Sequence, residues 1–306
     1  MTQLNPVSCL AFAQGNSDER SAFVQAFGDS LRIHGFGLVT DHGIERMRIE
    51  RAFALSAAFF ASEMAAKEAL RVPASKGNRG YVPMGGERAL GAKAADLKEF
   101  FHVGQLTTAP GLLPNVWPDH VQGFREEMQS LYRDFEALAG QLLQSIALYL
   151  GLAQDHFASM IIAGDSILRL IHYPAVPGDA APGAVRAAAH EDINLITLLA
   201  EGSTGGLELR NHDGSFSSVT SQRGTLVINA GDMLQLASHG RIRSTTHRVV
   251  NPVGDNVARY SIPFFTHPRP DILLEPMAPE ADNARRFEAI TAGEFLRQRL
   301  RAITPS

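Results

Sequence analysis

The sequence predicts a mainly β protein, a jelly roll or barrel with helical additions, and three features of the chain set that expectation. From about Ser166 onward, short apolar runs alternate with clusters of Gly, Asn, Asp and Pro. Many short strands joined by turns produce this pattern, whereas alternating strand–helix units do not. Before that point the apolar residues recur at helical spacing, and the final residues return to it.

The elements follow in order. Ser17 can cap a first helix, in which Phe23, Phe27 and Leu31 recur every four residues. Phe36–Thr40 reads as a short buried strand before the turn Asp41-His42-Gly43, and a second helix spans about Ile44–Phe60. Residues 73–91 are rich in Gly and Pro but carry Arg79-Gly80-Tyr81, which suits an ordered loop better than a linker. A strand is expected over Leu97–Val103. After Pro118 the longest stripe runs through Val121, Phe124, Met128, Leu131, Phe135, Leu138, Leu142 and Ile146, and Gly151 is placed to end it. This is the pattern of a scaffold helix covering a sheet. The second half then predicts strands at Ile167–Tyr173, Leu195–Ala200, Gly206–Leu209, Phe216–Val219, Thr225–Asn229, Met233–Ala237, Thr245–Asn251 and Ala258–Phe265. A closing helix starts at Thr291-Ala-Gly-Glu294, which has the form of a capping box. The Gly-rich stretch 202–206 lacks the strand-to-helix context and the Lys of a phosphate cradle and reads as a turn. The chain is expected to form one unit over 1–306: a mainly helical part to 165, a core over 166–270, and a C-terminal helical part over 271–306.

Bulk properties narrow the function. A chain of 306 residues, 45% hydrophobic, can bury a substantial core. The net charge of −4 with mixed signs offers no basic footprint for nucleic acid and no polybasic membrane patch. No apolar run approaches the roughly 20 residues of a membrane helix. The start Met-Thr-Gln-Leu-Asn has neither a basic stretch nor an apolar signal core. One cysteine, Cys9, excludes an internal disulfide and reads as a small buried residue. The expectation is a cytoplasmic protein acting on a small molecule.

Chemistry concentrates in three places. His190 and Asp192 form one H-x-D, His247 follows on a strongly β-forming run, and Arg259 with Ser261 forms an Arg-x-Ser. Two neutral imidazoles and a carboxylate can cap one face of an octahedral metal and leave three sites open, the arrangement of non-haem Fe(II) enzymes that activate oxygen. If a strand carries the H-x-D, both groups point to one side. The other reading is a surface His–Asp pair and a satisfied core histidine at 247. Arg259 and Ser261 share one face of a strand whose other face carries Tyr260, Ile262 and Phe264. A guanidinium there needs an anion, either an internal carboxylate or a bound acid.

Beyond these positions the chain resembles the isopenicillin N synthase-like group of Fe(II)- and 2-oxoglutarate-dependent dioxygenases. The similarity is carried by His34-Gly-Phe-Gly-Leu-Val-Thr-Asp-His-Gly-Ile44, Arg79-Gly-Tyr81, Asp96-Leu-Lys-Glu-Phe100, Asn115-Val-Trp-Pro-Asp119 and Leu168-Arg-Leu-Ile-His-Tyr-Pro174. It continues through His190-Glu-Asp-Ile-Asn-Leu-Ile-Thr-Leu-Leu199, Asn229-Ala-Gly-Asp-Met-Leu234, Arg243–Pro252 and Arg259–Phe265. The resemblance implies a double-stranded β-helix core flanked by N-terminal and C-terminal helices, with His190, Asp192 and His247 as iron ligands. It implies that Arg259 and Ser261 hold 2-oxoglutarate with Tyr173 as a hydroxyl partner, and that His172 stands where many relatives place an Asn. It further implies hydroxylation or desaturation of a small metabolite by O2, with release of succinate and carbon dioxide and with no catalytic acid or base beyond the metal ligands. Arg79, Tyr81, Phe101, His102 and Phe265 are the candidate substrate contacts, and Trp117 reads as a structural anchor.

Alternatives from the same residues are an isopenicillin N synthase-like oxidase using no 2-oxoglutarate, an ethylene-forming enzyme, a non-catalytic metal-dependent ligand-binding barrel, and a zinc hydrolase. The substrate and the oligomeric state are not readable from the sequence.

Overall fold

The longest apolar stripe in the sequence forms the helix on which the main sheet rests. This computed structural model describes residues 4–75, 77–87, 94–107, 112–201, 205–220, 224–278 and 287–303. The chain opens with β1 (Pro6–Ser8), α1 (Cys9–Ala13), α2 (Ser17–His34), β2 (Phe36–Thr40), α3 (Arg46–Phe60) and α4 (Met64–Glu68). It continues through β3 (Gly80–Val82), β4 (Glu99–Val103), the scaffold helix α5 (Phe124–Tyr149) and β5 (Ile167–Tyr173). Then come β6 (Ala187–His190), β7 (Ile196–Glu201), β8 (Leu207–Arg210), β9 (Phe216–Ser218) and β10 (Leu226–Ala230). The chain closes with α6 (Asp232–Ala237), β11 (His247–Val249), β12 (Arg259–Thr266), β13 (Leu273–Leu274), β14 (Ile290–Thr291) and α7 (Ala292–Ile303).

Two sheets form the jelly-roll core. The larger has the order β1-β2-β10-β7-β12-β5-β4-β3, and the smaller β6-β11-β8-β9. Strand alternation sorts the residues of the larger sheet. Leu168, Leu170, Leu198, Ile228, Ile262 and Phe264 belong to the large apolar cluster shared with the helices. Phe264 stacks on Phe135 of α5 at 5.7 Å and meets Tyr132 edge-on at 5.0 Å. Each fully buried aromatic or aliphatic side chain there contributes about 1.5–3 kcal/mol. The opposite residues of the same strands, among them Ile171, Tyr173 and Leu199, join Ala187, Leu207 and Val249 of the smaller sheet in a second cluster between the sheets.

Several expectations need amendment. Asn16, one residue ahead of Ser17, caps α2, and Glu19 completes a capping box. The 73–91 stretch holds a 3-10 turn at Pro73–Ser75 and the strand β3, while residues 76 and 88–91 lie outside the described residues, as does much of the 202–206 turn. Strands β2 and β4 fall at the expected Phe36–Thr40 and within Leu97–Val103, β1 and β3 fall outside the strands expected, and all four join the larger sheet, which is thus completed by residues on both sides of 165. Met233–Ala237 is helical, not extended. A short apolar run has no periodicity that separates a strand from a buried turn of helix, and extended Gly231 lets Asp232 start a helix that buries Met233, Leu234, Leu236 and Ala237. At the C-terminus the amide of Glu294 donates to Thr291 Oγ1 at 3.3 Å, the first half of the expected capping box.

Candidate metal centre and its two chambers

Strand register brings the two histidines together. β11 pairs antiparallel with β6 so that His247 faces His190, and their ring centroids are 4.5 Å apart. His190 is the last residue of β6, and Asp192 lies just beyond the strand's end. The H-x-D therefore presents its two side chains through a strand terminus and not along one strand face as expected. Asp192 Oδ1 lies 3.8 Å from Nε2 of each histidine. Among the described residues these three form the one group whose His and carboxylate atoms could together hold a metal ion, all within 4.8 Å of one another.

The surrounding hydrogen bonds suit metal binding. His190 Nδ1 faces the Ala188 carbonyl at 2.8 Å, and His247 Nδ1 faces the Thr245 carbonyl at 3.1 Å. Each carbonyl accepts the Nδ1 proton, which leaves the Nε2 lone pair free for a ligand bond. The carboxylate is shared out in the same way. Asp192 Oδ2 accepts from Asn229 Nδ2 at 2.8 Å and from the Thr197 hydroxyl, and Asn194 Nδ2 donates to that hydroxyl at 2.9 Å. Burial pushes the Asp192 carboxyl up, but the two imidazoles and these two donors outweigh it and hold it below the usual carboxylate range. Burial, then the neighbouring His247, holds His190 below the ordinary histidine range. Two neutral imidazoles and an ionised carboxylate are the donor set that fits Fe(II).

An inner cavity runs from this triad between the sheets, and Arg259, Ser261 and Tyr173 line it. Register explains the grouping: Arg259 of β12 lies opposite Tyr173 of β5, and Ser261 is two residues on along the same face. The Arg259 guanidinium sits 5.1 Å from the Tyr173 ring centre and is 1% exposed. His172 points elsewhere. It hydrogen-bonds Glu99 at 2.8 Å and stacks on Tyr260 at 4.8 Å, so it does not replace the Asn of relatives in this cavity.

A larger outer chamber opens on the other side of the triad. His190, Asp192, Arg169 and Phe265 border both spaces. Of the five expected substrate contacts, the structure brings only Phe265 there. Arg79 is 2% exposed and binds Asp165 at 2.6 Å together with the Asn78 and Leu113 carbonyls. Tyr81 is buried and donates to Glu99, and Phe101 is enclosed by Phe59 and Phe124. His102 is held between the Gly77 carbonyl and Arg169. Alternation turns Tyr81 and Phe101 to the helix side of their strands, whereas His102 lies on the Arg169 side of β4 behind that guanidinium and Arg79, just ahead of β3, is spent on Asp165. The residues that do face it include Arg169, Glu87, Asp165 and His267. Arg169 was legible in principle, since it alternates with Ile171 and Tyr173 along β5.

The comparisons with known proteins agree with this geometry. The sequence model of the 2OG-Fe(II) oxygenase superfamily matches residues 164–268, and that of the non-haem dioxygenase in morphine synthesis N-terminal region matches residues 6–120. A proline hydroxylase of Petromyces alliaceus is 34% identical over 92% of this chain and 93% of its own. The crystal structure of a Caulobacter crescentus protein assigned to the 2OG-Fe(II) oxygenase family superposes with a TM-score of 0.88 at 39% identity, covering 99% of this chain and all of that one (100%). A full-length Neurospora crassa protein crystallised in complex with α-ketoglutarate gives 0.89 at 33% identity, covering 98% of this chain and 96% of that one.

Proposed function

The chain belongs to the 2OG-Fe(II) oxygenase superfamily, and from that premise we propose that His190, Asp192 and His247 hold its ferrous ion while Arg259, Ser261 and Tyr173 hold 2-oxoglutarate. The protein is an Fe(II)- and 2-oxoglutarate-dependent oxygenase of small metabolites. When bound, iron supplies the coupling of O2 reduction and 2-oxoglutarate decarboxylation, giving succinate and carbon dioxide, to oxidation of a substrate C–H bond.

The chain's own residues supply placement. The carbonyls of Ala188 and Thr245 orient the two imidazoles, and Thr197 with Asn229 hold the carboxylate so that one oxygen faces them. The Arg259 fork suits the distal carboxylate of 2-oxoglutarate, with Ser261 and Tyr173 as hydroxyl partners. Apolar neighbours Ile171, Leu199 and Val249 exclude water from that end of the cavity. The substrate enters the outer chamber, where Phe265 borders the triad. No side chain need act as acid or base.

One observation carries this assignment: two separate chambers share the His190–Asp192 edge, one lined by a buried Arg-x-Ser and the other open to a substrate. The test is anaerobic addition of Fe(II) with and without 2-oxoglutarate, watching the weak visible charge-transfer band of the chelate. The band should form with the native chain and vanish with His247→Ala. A native chain that gives no band refutes the assignment.

We read residues 1–306 as one catalytic unit, because strands from both sides of residue 165 complete one sheet. No helix among the described residues is long and apolar enough to cross a membrane. The reading adopted is a cytoplasmic enzyme of a small molecule, with neither nucleic acid nor membrane as partner.

A further inference from the structure

The outer chamber carries several charged side chains on a largely apolar lining, and the buried ones are already matched. Glu87 accepts from Lys98 at 2.6 Å and from both terminal nitrogens of Arg169 at 3.3 and 3.4 Å. Lys98 also reaches Asp96 at 2.9 Å. Asp165 is held by Arg79 at 2.6 Å, and Asp232 at the rim by Arg299 at 2.8 Å. Glu191 and Arg210 remain, one of each sign, both exposed. With Asp192 set aside as part of the metal triad, the carboxylates Glu87, Asp96, Asp165, Asp232 and Glu191 and the cations Arg169, Lys98, Arg79, Arg299 and Arg210 in and behind this wall balance one for one among the described residues. The two imidazoles beside it, His102 and His267, are kept neutral by burial.

The wall also has a flat part. The Arg169 guanidinium lies 4.3 Å from the Phe100 ring centre and 5.0 Å from that of Phe265, and Phe265 borders the metal triad. Neutral hydrogen-bonding capacity sits nearby. Asn78 lines the chamber, and so does His267. A charged substrate would surrender its hydration and meet no uncompensated opposite charge in the buried wall, only the solvent-screened Arg210 and Glu191 at exposed positions. Taking an ion from an existing pair would strand that ion's buried partner. A flat uncharged molecule meets neither penalty.

We propose that this chamber selects an uncharged, flat, hydrogen-bonding substrate of the cyclic amide or ureide class over carboxylates and amino acids of the same size. This rests on the outer chamber being the substrate site of the oxygenase.

The test is calorimetric titration of the full chain with two matched pairs, uracil against orotate and 2-pyrrolidinone against L-proline. It is run on the protein alone and on protein loaded anaerobically with Fe(II) and 2-oxoglutarate. Absence of heat on adding 2-oxoglutarate to the Fe(II) protein would refute the oxygenase assignment, while the pair ratios on the protein alone still decide the chamber's preference. The neutral member of each pair should bind at least about tenfold more tightly. Equal or tighter binding of the charged members, or no binding of either neutral compound at millimolar concentration, overturns the proposal. Asp165→Asn leaves Arg79 uncompensated and should move the uracil-to-orotate ratio about tenfold toward orotate. Glu191→Gln, at an exposed position, should move it roughly threefold the same way. Ratios unchanged in both variants overturn the charge-matching argument.

Discussion

His190 and His247 face one another across β6 and β11 with their rings 4.5 Å apart, although 57 residues separate them along the chain (247 less 190). Neither ring is oriented by chance, because each Nδ1 is turned to the carbonyl two residues before its own histidine. The strand pairing delivers the nitrogens, and the local backbone selects which nitrogen is offered.

The donors behind Asp192 should therefore matter almost as much as the ligands. Thr197→Val or Asn229→Ala removes one of the two bonds to Asp192 Oδ2. Each should weaken Fe(II) binding about 10- to 100-fold while leaving the fold intact. Iron content after dialysis against a graded chelator, alongside circular dichroism, checks this; native iron retention in both variants would contradict it.

Arg259→Gln removes the buried cation of the inner cavity, which faces Tyr173 across β12 and β5. Loss of hydrogen bonds to a charged group, about 1.5–3 kcal/mol each, should raise the KM for 2-oxoglutarate by roughly one to two orders of magnitude. Iron affinity without 2-oxoglutarate should hardly change. Initial-rate kinetics and a metal titration separate the two quantities.

Gly231→Ala should be damaging although residue 231 touches no ligand. A Cβ there would meet the Asn194 carbonyl oxygen at 2.2 Å and its Oδ1 at 2.3 Å. Asn194 braces Thr197, which in turn bonds Asp192. The variant should melt several degrees lower and lose iron more readily, and a melting temperature equal to the native chain's would show that the turn absorbs the methyl group.

Glu99 predicts an acid limb in the stability profile. Burial pushes its carboxyl up, but His172, Tyr81 and Lys67 together outweigh this and hold it below the usual range. Its folded pKa is thus below the unfolded value of about 4.3. The stability it contributes is present above that value and is lost as pH falls from there through the folded pKa. Glu99→Gln also leaves Lys67, 5% exposed, without its carboxylate, for a loss of about 3–5 kcal/mol at neutral pH. Denaturant melts between pH 3 and 7 should show the two proteins converging toward acid; a constant gap would exclude Glu99 as the source.

The amino-acid sequence alone determined the architecture class and the identity of the site's chemical groups. Alternation in β12 separated Arg259 and Ser261 from Ile262 and Phe264, and the stripe from Phe124 to Ile146 marked the helix that covers the sheet. Those features are local, because backbone geometry repeats every two or 3.6 residues and polarity records it directly. What only the tertiary structure decided are relationships between strands. Tyr81 and Phe101 were indistinguishable from pocket residues until the register of β3 on β4 placed them in the helix-side core. Arg169, Glu87 and Asp165 became chamber residues only when loops and strands far apart in sequence were folded together. The turn of helix at Asp232–Ala237 was hidden for a related reason: five buried residues carry no readable period, so packing against their surroundings chose their conformation.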